Sequence, residues 1–251
     1  MIEFAYKRDG NLAVWEYPRL SRSYLIAVDM AEGLEHGDAS IATVLSSAGD
    51  HVATYGGFGI EPTDFAEKLA YLGRWYRDAL IAVEAQSHGF SVINELKRLH
   101  RYNKLYYRKT FDERVKKTSS KIGWYTSVKT KPLMIDTMWR LLRTGVIRSR
   151  DKDLLTELTT FRKMPNGEMA GQPHDDRVMS FAIACMVWEE IHDPKKPAEP
   201  DPEFDFDAPM KVDLWAHRVP SQSVNVGTLA TTPRASKTRP EMRGLVLGGR
   251  R

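Results

Sequence analysis

The stretch Tyr24-Leu25-Ile26-Ala27-Val28-Asp29 is a short apolar run that stops abruptly on a carboxylate, with a turn signal at Gly33. A run of this length, rich in Tyr, Leu, Ile and Val, reads as a buried strand. A buried strand that ends in an acid presents a rigid negative charge at the end of a sheet, a good position for a metal ion. An isolated case carries little weight, because many strands leave a core on an aspartate that is merely solvated. This chain repeats the device at Leu80-Ile81-Ala82-Val83-Glu84. It then supplies a third acidic point, His174-Asp175-Asp176, just before a long apolar helix.

The elements around these points follow from periodicity. Residues 40–46 and 51–55 read as strands joined by the Ala48-Gly49-Asp50 turn, which favours an antiparallel meander. Pro62-Thr63-Asp64 opens a helix in which Phe65, Leu69, Leu72 and Tyr76 recur at helical spacing. The strand at 79–84 is expected to lie parallel to the first, which brings Glu84 and Asp29 to the same end. Further helices are expected at 90–99, 131–144, 151–158 and 174–192, with short strands at Tyr106-Tyr107 and 146–148. Residues 159–171 read as an accessory β-hairpin around Pro165-Asn166-Gly167. The last helix is apolar almost all round and is expected to be buried.

The organisation read from this pattern is α/β. A lead-in segment covers residues 1–22, a mixed central sheet flanked by helices covers 23–192, and a Pro-rich, then basic, flexible tail covers 193–251. Bulk composition narrows the function. One cysteine, Cys185, excludes a disulfide framework and a thiolate metal cluster, and points to a reducing compartment. No apolar run approaches membrane-spanning length, and the N-terminus lacks a signal-peptide pattern. There is no Gly-x-x-x-x-Gly-Lys-Ser/Thr, and so no phosphate-cradling loop of that type.

Asp29, Glu84 and Asp175-Asp176 are far apart in sequence, yet a sheet can bring them together. Hard cations take oxygen ligands, so a carboxylate cluster suits Mg2+ or Mn2+. Two such ions can activate a water and stabilise the leaving oxygen of a phosphodiester. Asp29, lying between the other two, is the natural bridge. The plain alternative for Asp175 and Asp176 is helix capping, since aspartate is favoured just before a helix.

The pattern Ala27-Val28-Asp29, Val83-Glu84-Ala85 and His174-Asp175-Asp176-Arg177-Val178-Met179 resembles the nuclease domain of the large terminase subunit of tailed bacteriophages. Gly123-Trp124-Tyr125-Thr126, with Thr130-Lys131-Pro132 after it, is also similar to that family. The resemblance spans roughly residues 20–192. It implies an RNase H-like fold and a metal-dependent endonuclease that cuts double-stranded viral DNA during genome packaging. It assigns catalysis to Asp29, Glu84 and Asp176, and two Mg2+ or Mn2+ ions to these three with Asp175 as a further ligand. It also implies the cytoplasm of a phage-infected host as location. A portal protein, a small terminase subunit and an ATPase motor domain are the implied partners. The family's motor precedes its nuclease, and its phosphate loop is absent from this sequence, so the chain corresponds to the nuclease half.

Residues 97–131 hold a run of Lys and Arg interleaved with Tyr102, Tyr106, Tyr107, Trp124 and Tyr125. Such a strip suits a phosphate backbone and binding that weakens with salt; a solvated face is the plain alternative. Arg101, Lys121, Lys129 and Lys131, with Arg177 beside the third acidic point, are the candidate DNA contacts. No base-reading motif is visible, so little sequence preference is expected. Two other readings compete. A junction resolvase or transposase would share the acids and differ in substrate, which cleavage of branched against linear DNA would separate. A non-catalytic DNA-binding or docking module would show no dependence on divalent ions.

Overall fold

The computed structural model describes residues 3–6, 10–31, 38–112, 117–163, 169–171, 174–192 and 242–248. In chain order these form β1 (Glu3–Tyr6), β2 (Leu12–Val14), β3 (Tyr24–Asp29), β4 (Ser40–Ser46), β5 (His51–Gly57), α1 (Pro62–Trp75), β6 (Leu80–Val83) and α2 (Ser87–Arg98). Then follow β7 (Tyr107–Asp112), β8 (Lys117–Ile122), α3 (Thr130–Arg143), α4 (Lys152–Thr160), β9 (Arg162–Lys163), β10 (Met169–Ala170), α5 (Asp176–His192) and β11 (Met242–Gly248).

The main sheet has the order β1-β11-β2-β5-β4-β3-β6. β3 pairs antiparallel with β4 and parallel with β6, as the connections predicted. The mixed sheet flanked by helices is therefore the architecture expected from the sequence. Side-chain alternation assigns the faces. Tyr24, Ile26 and Val28 of β3, with Ile81 and Val83 of β6, pack with Phe65, Leu69 and Leu72 of α1 and Val92 and Leu96 of α2. Leu25 and Ala27 of β3, with Ala82 of β6, pack with Met134 and Met138 of α3, Leu154 of α4, and Val178 and Phe181 of α5. The α5 helix is buried along most of its length, as its all-round apolar pattern predicted. Among the described residues, no helix is long and apolar enough to cross a membrane.

The structure departs from the sequence reading in four places. Residues 3–6 and 12–14, assigned to the lead-in segment, form β1 and β2 of the main sheet. The strand expected at Tyr106-Tyr107 is the start of a separate hairpin, β7 with β8. The strand expected at 146–148 reduces to a single bridge between Asp50 and Arg148. Residues 242–248, assigned to the flexible tail, form β11 between β1 and β2. The prolines and charges that precede it hide the short Leu245-Val246-Leu247 run. The accessory hairpin is present as β9 paired with β10, while its turn at 164–168 lies outside the described residues. So do Glu32, Arg114, Lys116 and the tail from 193 to 241, with its acidic, Pro-rich part and the basic residues Arg218, Arg234, Lys237 and Arg239.

Candidate metal centre

The parity of β3 and β6 decides which way the two strand-end acids point. Leu25 and Ala27 face α5, so Asp29, two further on, continues that face. Ala82 faces α5, so Glu84 does too. Val28 is in register with Val83, and the Glu84 N–H donates to the Val28 carbonyl at 2.9 Å. The two carboxylates therefore leave adjacent strands side by side.

The α5 helix delivers the third. The Ser180 hydroxyl donates to the Ala27 carbonyl at 3.1 Å and to Thr43 Oγ1 at 2.9 Å. At its other end the Trp188 indole donates to the Ser46 carbonyl at 2.9 Å, across from Tyr24. The helix thus runs antiparallel to β3. Asp176 is one turn before Ser180, about 6 Å along the axis, and Asp29 is about 6.6 Å beyond Ala27 on the strand. The two rises nearly match, so Asp176 arrives level with Asp29. The positive end of the α5 dipole faces the acids and favours their charge.

The side-chain capping role that the sequence left open for Asp175 and Asp176 is filled by neither among the described residues. Glu157 of α4 takes it: its Oε2 accepts from the N–H groups of Arg177 at 3.0 Å and Val178 at 3.4 Å. Asp175 accepts from the Gly171 N–H at 3.4 Å and lies 3.9 Å from Lys131 Nζ. Asp176 accepts from the Ala39 N–H at 2.8 Å.

Glu84 is held by the segment after β8. Glu84 bridges to Trp124; the Trp124 N–H donates to Val83 O at 2.9 Å, and the Ala85 N–H to Trp124 O at 2.6 Å. Gly123, at φ +76°, makes this approach possible, because a Cβ there would meet Val83 O at 2.7 Å. The Gln86 amide donates to Glu84 Oε1 at 3.3 Å and to Thr126 O at 2.6 Å.

Crowding shows in the titration of the group. Burial raises the Asp29 carboxyl well above the usual range, and the charge of Glu84, a hydrogen bond with it, and the charges of Asp176 and Asp175 raise it further. Burial pushes Asp176 up to about 6; the Ala39 N–H opposes this, while Asp38 and Asp175 add to it and His174 lowers it. Without a cation, burial and the neighbouring acids disfavour the ionised form of Asp29. The donors are carboxylate oxygens whose repulsion a divalent cation would relieve, so the residues fit such an ion.

The candidate DNA contacts divide. Lys121 and Lys129 are exposed and flank the Gly123-Trp124 segment beside Glu84, and Lys131 reaches Asp175. Arg101 is also exposed, but it follows the far end of α2, about 18 Å along that helix from the acids. Arg177 is turned toward Asp151, Asp153 and Glu157, at 3.4, 3.5 and 3.5 Å. Sequence reasoning missed Glu157, which comes from another helix, Asp38, and Gln86, which lies two residues beyond Glu84 in what reads as a plain loop. It noted His174 only as a flanking residue.

No protein-family model matches the chain, and no curated protein sequence matches it. Solved structures do. The large terminase nuclease of thermophilic phage G20c with bound magnesium is similar at 25% identity and a TM-score of 0.56, covering 74% of this chain and 92% of that one. The same nuclease with bound cobalt matches at 25% identity and a TM-score of 0.55, with the same coverage. The large terminase nuclease domain of Thermus phage P74-26 matches at 25% identity and a TM-score of 0.54, covering 75% of this chain and 92% of that one. The resemblance read from the sequence holds in three dimensions, and the fold is the RNase H-like fold of these nuclease domains.

Proposed function

We propose that this chain is a divalent-metal-dependent endonuclease that hydrolyses phosphodiesters of double-stranded DNA, acting in viral genome packaging as the nuclease half of a large terminase subunit. The observation that carries this reading is the meeting of Asp29 and Glu84 on adjacent strands, level with Asp176 from α5. The likeness to terminase nucleases solved with magnesium and cobalt supports it.

Two Mg2+ or Mn2+ ions, when bound, would polarise the scissile phosphate and make a water acidic enough to attack it. The chain's own residues do the rest. Asp29, between the other acids, would be the shared ligand; Glu84 and Asp176 would hold the two sides, with Asp175 beside Asp176. Gln86 keeps Glu84 oriented, and Glu157 keeps the start of α5 in register. Lys121, Lys129 and Lys131 flank this end of the sheet and supply positive charge for the backbone of the duplex. Arg101 is too far along α2 to serve the same stretch and would contact DNA away from the cut. Arg177, held by three acids, acts on the helix start rather than on DNA. The host cytoplasm is the setting this reading implies, and a portal protein, a small terminase subunit and an ATPase motor are its partners.

The test is cleavage of supercoiled plasmid by the purified chain. Nicked and linear products are expected with Mn2+ or Mg2+, without ATP, and none in EDTA or with Asp29→Asn. Equal cleavage by Asp29→Asn would reject this assignment of the site, and absence of metal-dependent cleavage would reject the nuclease reading.

A further inference from the structure

The residues read from the sequence offer the metal centre oxygen ligands alone; the fold brings a nitrogen beside them. Asp38, His174 and Asp176 each offer one ligand atom, and the three atoms lie within 4.8 Å of one another. Asp38 is exposed, His174 half-buried and Asp176 buried. Three contacts hold it in shape. The Ala39 N–H on Asp176 Oδ2 at 2.8 Å ties the residue after Asp38 to α5. The Phe58 ring meets the His174 imidazole edge-on, with centroids 5.3 Å apart. Gly171 passes so close that a Cβ there would lie 2.7 Å from the His174 carbonyl oxygen. His174 Nδ1 is itself buried and has no hydrogen-bond partner among the described residues. Buried polar atoms in folded proteins are nearly always paired, and a cation at this group would pair an imidazole nitrogen.

We infer that Asp38, His174 and Asp176 form a mixed nitrogen and oxygen site for a divalent transition-metal ion, sharing Asp176 with the Asp29 and Glu84 carboxylates. Imidazole is a ligand that Mn2+, Co2+ and Zn2+ accept in rising order and that Mg2+ rarely takes. Three protein ligands leave positions for water or a phosphate oxygen. The site separates transition-metal ions from Mg2+, which an all-carboxylate cluster does only weakly. It deepens the proposed function by naming the ion, and rests on that reading only through the shared Asp176.

The experiment is calorimetric titration of the full chain with Co2+ and with Mg2+, alongside the visible absorption of bound Co2+. His174→Ala and Asp38→Asn are each expected to weaken Co2+ binding by about tenfold or more. Both should alter the Co2+ spectrum, and His174→Ala should leave Mg2+ binding within about twofold, since His174 is not a magnesium ligand in this account. His174→Gln, which keeps polar bulk against Phe58, should behave as His174→Ala does. Unchanged melting temperatures in EDTA establish that the variants fold. Co2+ affinity and spectrum unchanged in both His174→Ala and Asp38→Asn would overturn the inference. A chain that binds Co2+ through His174 yet cuts no DNA with any ion would sustain this site while removing the nuclease reading. One that cuts DNA yet binds Co2+ without regard to His174 would do the reverse.

Discussion

Asp176→Asn should stabilise the metal-free protein. The carboxyl is buried and pushed up to about 6, chiefly by desolvation, with Asp38 and Asp175 adding repulsion. Its ordinary value is about 3.9. The folded state therefore binds this proton more tightly than the unfolded chain does. The resulting penalty is absent below pH ~4, grows as pH rises through ~4 to ~6, and is complete above that. At 1.36 kcal/mol per pH unit it reaches about 3 kcal/mol at pH 8. Asparagine removes the charge and keeps an oxygen for the Ala39 N–H. For a domain of this size about 3 kcal/mol corresponds to a rise of up to ~6–12 °C in Tm. The assay is thermal unfolding in EDTA from pH 5 to pH 8, for parent and variant. Asp29 is raised in part by the Asp176 charge, so it too relaxes in the variant and acts in the same direction; His51 and Glu157 are also shifted into or across this range. Burial lowers His51 to about 4, so it destabilises as pH falls from ~6.5. Burial raises Glu157 to about 7, with the sign of Asp176. Taking the difference between parent and variant cancels the His51 contribution. Asp176 helps to raise Glu157, so its removal relaxes that group as well and acts in the same direction. The Tm difference should therefore shrink as pH falls from 8 to 5. A variant melting at or below the parent at pH 8, or a difference independent of pH, would refute the reasoning.

Glu157→Gln should keep the melting temperature at pH 8 or raise it, because it keeps an acceptor for the Arg177 and Val178 N–H groups without the buried charge. Glu157→Ala should lower the stability by about 1 kcal/mol through the lost cap; equal effects of the two in unfolding experiments would argue against capping. Gly89→Ala should lower Tm and Mn2+-dependent cleavage together, since a Cβ there would lie 1.8 Å from the Glu84 carbonyl oxygen; a variant with parental cleavage would show that this approach does not set Glu84. Lys121→Glu with Lys129→Glu should weaken duplex binding and reduce the salt slope by about two phosphate contacts, whereas Arg177→Lys should leave that slope unchanged; fluorescence anisotropy across salt concentrations separates them.

The strands that carry Asp29 and Glu84 were legible because each is a pure apolar run cut off by an acid, and a parallel pair follows from the helix between them. The α5 helix was legible because Val178 to Trp188 is too apolar for anything but burial. Three features were not. The cap on α5 comes from Glu157, and the ion pairs of Arg177 come from Asp151, Asp153 and Glu157 on another helix, so local sequence suggests an aspartate cap and a free arginine. The β8 strand is Lys117-Thr118-Ser119-Ser120-Lys121-Ile122, polar up to its last residue, with no alternation for a periodicity argument to find. Asp38 meets His174 and Asp176 through a contact of the Ala39 backbone with a side chain 137 positions away. Nothing in the residue types marks it.

The central claim is that Asp29, Glu84 and Asp176 converge on divalent metal. Anomalous diffraction at the manganese edge from a crystal soaked in Mn2+ tests it most directly. The account predicts a peak within about 2.2 Å of carboxylate oxygens from Asp29 and Asp176, with Glu84 at the same ion or an adjacent one. Manganese bound only elsewhere, or no manganese between these three carboxylates at saturating concentration, would contradict it.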